Sequence, residues 1–145
     1  MIVNIKKLHE NAIIPKYETK GAAGMDIIPI DVTYDEKIDT WVYHTGLSFE
    51  LPKNHLMLIF PRSSNRKTNA YLPNSVGVLD EDYRGELLVC FKNRDANDLK
   101  PPYELNGKGV AQIIIIPYPK VEFNEVEVLS STDRGEGGFG STDNK

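Results

Sequence analysis

Short apolar runs that end on proline constrain this chain more than any other feature. Leu56-Met57-Leu58-Ile59-Phe60 stops at Pro61, and the wholly β-branched Ile113-Ile114-Ile115-Ile116 stops at Pro117. Branched side chains lose rotamer freedom in a helix but pack well on a pleated surface, so both runs read as buried strands. Proline has no amide hydrogen to give to a ladder, which marks the strand ends. Leu47-Ser48-Phe49-Glu50-Leu51 and Phe123-Asn124-Glu125-Val126-Glu127-Val128 alternate with a period near two, the pattern of half-buried strands. Helical periodicity is nearly absent. Clusters of Gly, Pro, Asn and Asp separate the runs, which predicts an all-β sandwich, jelly roll or barrel and argues against βαβ units. One short helix is predicted to start near Ser63 or Ser64, either of which can cap, although Asn65, Thr68 and Asn69 are poor helix formers.

At 145 residues the chain fits one domain. Its expected extent is residues 1–131, because 132–145 are glycine-rich, carry Phe139 as their single aromatic and cannot add much to a core. On composition alone such a tail is a disordered terminus. The formal charge is −4 and no run of Lys and Arg forms a basic footprint, so nucleic-acid binding is not expected. An acidic protein that binds a small polyanion must compensate locally, with a few placed Arg and Lys, backbone N–H groups and a bound cation. The strongest apolar stretch, Val110 to Pro117, is far short of the roughly 20 residues that cross a bilayer. Lys6 and Lys7 follow the first apolar residues and no long apolar region comes next, which is not the order of a signal peptide. A cytoplasmic protein without membrane contact is expected. Cys90 is the only cysteine and lies within Leu87-Leu88-Val89-Cys90-Phe91, where a thiol behaves as a small buried hydrophobe. A nucleophilic role needs a thiolate beside a base, which these neighbours do not supply.

Several polar residues admit a chemical and a structural reading. Asp80 can orient and polarise a water, or serve as a turn residue in Asp80-Glu81-Asp82, a plausible hairpin tip. Tyr83, three residues on, suits a cross-strand aromatic at a hairpin base. Arg62 with Ser63 offers a fixed positive fork and a hydroxyl, or simply a strand end with a cap. Asp26 is a polar residue at a strand start. Gln112 is a lone amide in an apolar run and must find a partner or cost roughly 1–3 kcal/mol. In the tail, Arg134 can pair with an anion, Gly137, Gly138 and Gly140 let the backbone approach it, and Ser141 and Thr142 can donate to it.

Five segments carry a resemblance: Ala22-Ala23-Gly24-Met25-Asp26-Ile27, Pro61-Arg62-Ser63-Ser64, Asn74 to Gly85, Gly107-Lys108-Gly109-Val110-Ala111-Gln112, and Arg134 to Thr142. In order and spacing they resemble the five motifs of the trimeric dUTPase family, AGxDL, PRSG, GxIDxDYxG, GxRxAQ and RGxGGFGSTG; the third and fifth are the specific ones. The resemblance implies a jelly-roll-like β-barrel or sandwich assembled as a homotrimer with shared active sites. It implies a Mg²⁺-dependent dUTP diphosphatase that cuts dUTP to dUMP and pyrophosphate by water attack at the α-phosphate, keeping uracil out of DNA and supplying dUMP for thymidylate synthesis. By resemblance Asp80 is the base that activates water, with Ser63 and Gln112 beside the reacting phosphate. Asn74 and the backbone at Val78 and Leu79 read the uracil edge, and Tyr83 stacks on the deoxyribose and leaves no room for a 2′-hydroxyl. Arg62, Ser64, Lys108 and Arg134 meet the phosphates, while Asp26 holds Mg²⁺ through water. Phe139 covers the base, and Gly140, Ser141 and Thr142 complete a C-terminal arm that closes over bound nucleotide, from a neighbouring subunit.

Three positions depart from the pattern. Ser64 stands where glycine is usual, Gly109 replaces an arginine with Lys108 beside it to supply the charge, and Asp143 follows Thr142 in place of glycine. Arg62-Ser63-Ser64 also suits the dCTP deaminases, a homologous family of the same fold, yet Asp80-Glu81-Asp82-Tyr83 and the glycine-rich arm look like the diphosphatase. A module that binds dUTP without turning it over is the non-enzymatic alternative.

Overall fold

The computed structural model describes residues 1–139. The two proline-ended runs form its spine. Strand β6 (His55–Pro61) pairs antiparallel with β10 (Ala111–Pro117) along their whole lengths, from Ala111 opposite Pro61 to Pro117 opposite His55. β2 (Met25–Ile27) adds to the far edge of β10 and β8 (Gly77–Leu79) to the far edge of β6, giving a sheet ordered β2-β10-β6-β8. A second sheet runs β3 (Asp31–Asp35), β4 (Thr40–His44), β9 (Leu88–Asn93), β7 (Ala70–Tyr71). β1 (Asn4–Lys7) pairs with β5 (Leu47–Glu50) as a separate ribbon. Every pairing among these strands is antiparallel, and the fold is the all-β, jelly-roll-like class that the sequence predicts.

The core lies between the sheets. Ile27, Met57, Ile59 and Ile113 from the first sheet, Tyr43, Val89 and Phe91 from the second, and Leu47 and Phe49 from the ribbon are all buried. Side chains alternate across a strand, so β9 buries Val89 and Phe91 while Leu88 stays exposed. Tyr43 is buried with its phenol satisfied: the hydroxyl donates to the Tyr103 carbonyl at 2.9 Å and accepts the Tyr103 N–H at 2.8 Å. Burial pushes that phenol up to about 12. The Tyr103 hydroxyl in turn donates to Asn65 Oδ1 at 2.6 Å, and Asn65 Nδ2 donates to the Ala70 carbonyl at 3.2 Å. Half-buried Tyr103, bonded to the buried Tyr43, therefore anchors the turn that follows β6.

The predicted short helix is present, as a five-residue 3₁₀ helix Ser63–Lys67, but its cap is Arg62, in extended backbone, and no serine side chain caps it. Two further local expectations are corrected. Asp80-Glu81-Asp82 is not the tip of a paired hairpin, because β8 and β9 belong to different sheets and the turn carries the chain from one to the other. Phe123 to Val128 is not a strand. Alternation makes a segment fit to pair but does not provide a sheet edge, and here Phe123, Val128 and Leu129 stay exposed. Among the described residues no helix is long and apolar enough to cross a membrane.

Candidate active site

The predicted residues gather into two groups. The first lines a pocket of about 230 Å³ where β8 and β9 diverge into their separate sheets, and includes Asn74, Val78, Leu79, Asp80 and Tyr83. A tight turn brings Asn74 to its rim: Ser75 adopts a left-handed φ of 60°, its N–H reaches the Leu72 carbonyl at 3.0 Å, and the Val76 N–H reaches the Asn74 carbonyl at 2.7 Å. β8 then pairs Val78 with Leu58 of β6, leaving Val78 exposed and Leu79 buried.

Asp80 follows directly. Its carbonyl accepts the Tyr83 N–H at 3.2 Å, closing a turn through Glu81 and Asp82. The turn reading is thus correct for the backbone, and the carboxylate remains exposed at the pocket rim. Side chains that the motifs did not single out pin this turn. The Glu81 carboxylate accepts the Asn54 N–H and lies 3.6 Å from Lys120 Nζ. Arg84 donates to the carbonyls of Glu81 at 2.7 Å and Tyr83 at 3.0 Å and stands 3.6 Å from Glu50. Alternating charges about a turn are the sequence signal for such pins, but their partners lie up to 39 positions away, as Glu81 and Lys120 do. Cys90 also lines the pocket and is half-buried, less than its apolar run predicts; burial still pushes its thiol up.

The second group spans three strands of the first sheet. Gln112 on β10 lies opposite Asp26 of β2 on one side and Phe60 of β6 on the other. Arg62, two residues past Phe60, turns its guanidinium onto both neighbours: Nη2 stands 2.8 Å from Asp26 Oδ2 and Nη1 donates to the Gly109 carbonyl at 2.7 Å. Gln112 Nε2 donates to the Pro61 carbonyl at 3.0 Å, so its amide has a backbone partner within the chain. Ser63 and Ser64 open the 3₁₀ turn beside Arg62, the first exposed and the second half-buried.

Gly109 gains a physical reason here. A Cβ at this position would lie 2.9 Å from Asp26 Cβ, an atom fixed to its own backbone that cannot swing aside. The positive charge at this point comes from Arg62, while Lys108 is exposed and its amide N–H is turned to Asn106 Oδ1 at 3.2 Å. Gly109→Ala is therefore expected to overpack the Asp26–Arg62 pair and lower stability by about 1–3 kcal/mol, read from chemical or thermal unfolding.

In the tail, Arg134 Nε donates to the Gly137 carbonyl at 2.8 Å and the Gly137 N–H to the Arg134 carbonyl at 3.1 Å. Phe139 is fully exposed. Gly140, Ser141, Thr142 and Asp143 lie outside the described residues. Among the described residues no hydrogen bond or ion pair joins the tail to either group, or one group to the other.

Comparison with known proteins bears on this arrangement. The dUTPase family model matches residues 10–143. The chain is 40% identical over 143 residues to the deoxyuridine 5′-triphosphate nucleotidohydrolase of Crocosphaera subtropica, covering 98% of this chain and 99% of that one. It is also 40% identical over 140 residues to the enzyme of the same name from Hydrogenobaculum, covering 95% of each. The solved dUTPase of Staphylococcus bacteriophage 80alpha with dUPNHPP superposes with a TM-score of 0.79 at 26% identity, over 97% of each chain. Matches of this extent take in both groups of residues and the strands that carry them, and on that ground the chain belongs to the dUTPase family.

Proposed function

We propose that this dUTPase hydrolyses dUTP to dUMP and pyrophosphate, with the nucleoside in the pocket between β8 and β9 and the phosphates directed to the Asp26–Arg62 group. The observation that carries this reading is the convergence of Asn74, Val78, Leu79, Asp80 and Tyr83 on one pocket. There the backbone of Val78 and Leu79 with Asn74 reads the uracil edge, and Tyr83 packs on the sugar. Asp80 accepts a proton from water as the water oxygen bonds to the α-phosphorus; the bond from that phosphorus to the bridging oxygen breaks, and pyrophosphate departs. Ser63, Gln112 and Arg62 donate hydrogen bonds to oxygens on which charge grows, with Ser64, Lys108 and Arg134 placed for the outer phosphates.

Mg²⁺, when bound, gathers and neutralises the triphosphate oxygens. Among the described residues no group of three or more His, Cys, Asp or Glu is placed to hold a metal ion. A hard cation that takes most of its ligands from phosphate and water needs few protein carboxylates, and Asp26 would hold it through water. The Asp26 carboxylate has lone pairs beyond the one that meets Arg62.

The chain is further proposed to act as a homotrimer whose sites are shared. Residues 1–131 supply the two groups, and residues 132–145 form an arm that brings Arg134, Phe139, Gly140, Ser141 and Thr142 to a neighbour's nucleotide. Two apolar surfaces support this. One is the exposed segment with Val121, Phe123, Val128 and Leu129. The other is a groove of about 410 Å³ lined by residues that include Val3, Ile14, Tyr17, Met25 and Ile113. Apolar surface of this kind calls for a partner, and a second copy offers both halves at once. A cytoplasmic location, in the host cell if the source is viral, suits a deoxynucleotide substrate.

The test is pyrophosphate release across the deoxynucleoside triphosphates, with Mg²⁺ and with the metal chelated. Mg²⁺-dependent release from dUTP alone is expected. Saturable dUTP binding without product would leave only a binding module, and ammonia released from dCTP would favour the deaminase reading.

A further inference from the structure

The ring of Tyr83 lies against its own chain. A Cβ at Gly85 would fall 2.3 Å from the Tyr83 hydroxyl oxygen, 2.5 Å from Cζ and 3.0 Å from Cε2. The tyrosine thus occupies the space that any side chain at position 85 would need. Its hydroxyl donates to the carbonyl of Glu86 at 3.1 Å. Both contacts are made with backbone, and neither is visible in the residue types alone.

This stretch of backbone is held from behind. Ser48 Oγ donates to the Arg84 carbonyl at 2.8 Å, Gly46 N–H to Glu86 Oε1 at 2.7 Å, Leu87 N–H to the Leu47 carbonyl at 2.8 Å, and Thr45 Oγ1 to the Leu87 carbonyl at 2.7 Å. His44 Nδ1, 3.3 Å from Glu86 Oε2, adds a further contact. Residues 84–87 are strapped to the start of β5, whereas Tyr83 is 46% exposed and lines the pocket. Gly85 is not in the left-handed region, so alanine suits its backbone. A methyl group there cannot push the strapped backbone away, and the aromatic ring must move instead.

We propose that Gly85 is a positioning residue for sugar selection: its missing side chain, together with the Glu86 carbonyl, forms the seat that fixes the Tyr83 ring where a 2′-hydroxyl would go. This rests on the reading of Tyr83 as the group that excludes ribonucleotides. It adds that discrimination resides in the seat as much as in the ring. Any side chain at position 85 unseats Tyr83 and opens room beside the sugar.

The experiment is a double-mutant cycle read as the ratio of kcat/KM for dUTP to that for UTP, with Gly85→Ala, Tyr83→Ala and the pair, each checked for unfolding temperature and oligomer mass. Gly85→Ala is expected to lower the ratio about tenfold or more, and to lower it no further when Tyr83 is already alanine. A ratio unchanged in Gly85→Ala while Tyr83→Ala lowers it overturns the seat and leaves the tyrosine reading standing. A ratio unchanged in Tyr83→Ala takes both down. Additive losses in the pair would also refute the proposal, since Gly85 would then act by another route. Should Gly85→Ala fail to fold, Tyr83→Phe decides. It keeps the ring and loses the bond to the Glu86 carbonyl, and the seat requires a lower ratio; an unchanged one refutes it.

Discussion

Asp80→Asn is expected to cut dUTP turnover by about 10²–10⁴-fold, the usual contribution of a positioned general base, while leaving nucleotide binding nearly intact. The amide has the shape of the carboxylate but cannot take a proton from water. The fold has little reason to respond: Asp80 is exposed, and the turn bond it makes to Tyr83 uses its backbone carbonyl, which the substitution retains. Single-turnover rates and equilibrium binding of dUTP separate the two effects. Lost binding with an unchanged rate in the bound state would assign Asp80 to substrate recognition.

Removing everything after Asp133 is expected to reduce turnover by about 100-fold or more, the usual cost of losing donors to the developing charge, and to leave oligomer mass and unfolding temperature almost unchanged. Within the described part of the tail, Arg134 and the glycines bond only to one another or to Thr132. The body of the chain thus loses no partner with them. On the proposed reading, what goes is a cover that excludes water and supplies donors to the phosphates once substrate is bound. Dissociation of the oligomer on truncation would make the tail a structural strap instead.

The strand framework was legible because its signals are local. Pro61 and Pro117 end β6 and β10, and the alternation in Leu47 to Glu50 marks β5. Phe123 to Val128 carries the same alternation and is no strand here, since a strand needs an edge and alternation does not say who owns it. The turn at Asp80 was legible, but its role in linking two sheets was not. That depends on β8 pairing with β6 and β9 with β4, across separations that sequence pattern does not reach.

The site divides in the same way. The motifs named Asn74, Asp80 and Tyr83, and the structure places them on one pocket. Asp26, Arg62 and Gln112 come together through strand register, with Gln112 flanked by Asp26 and Phe60. Gly109 stands where the motif has an arginine, and in the structure its lack of a side chain is the space that Asp26 needs. The braces at Glu81 and Arg84 show in the sequence only as alternating charges without their partners, and the seat at Gly85 rests on backbone contacts that leave no mark in side-chain identity.

A crystal structure of the assembled protein with Mg²⁺ and a dUTP analogue carrying an imido group between the α- and β-phosphates tests the central claim most directly. The expected result is uracil in the pocket between β8 and β9, with the Asp80 carboxylate hydrogen-bonded to a water in line with the α-phosphorus. A nucleotide bound elsewhere, or Asp80 facing bulk solvent with the analogue in place, would contradict it.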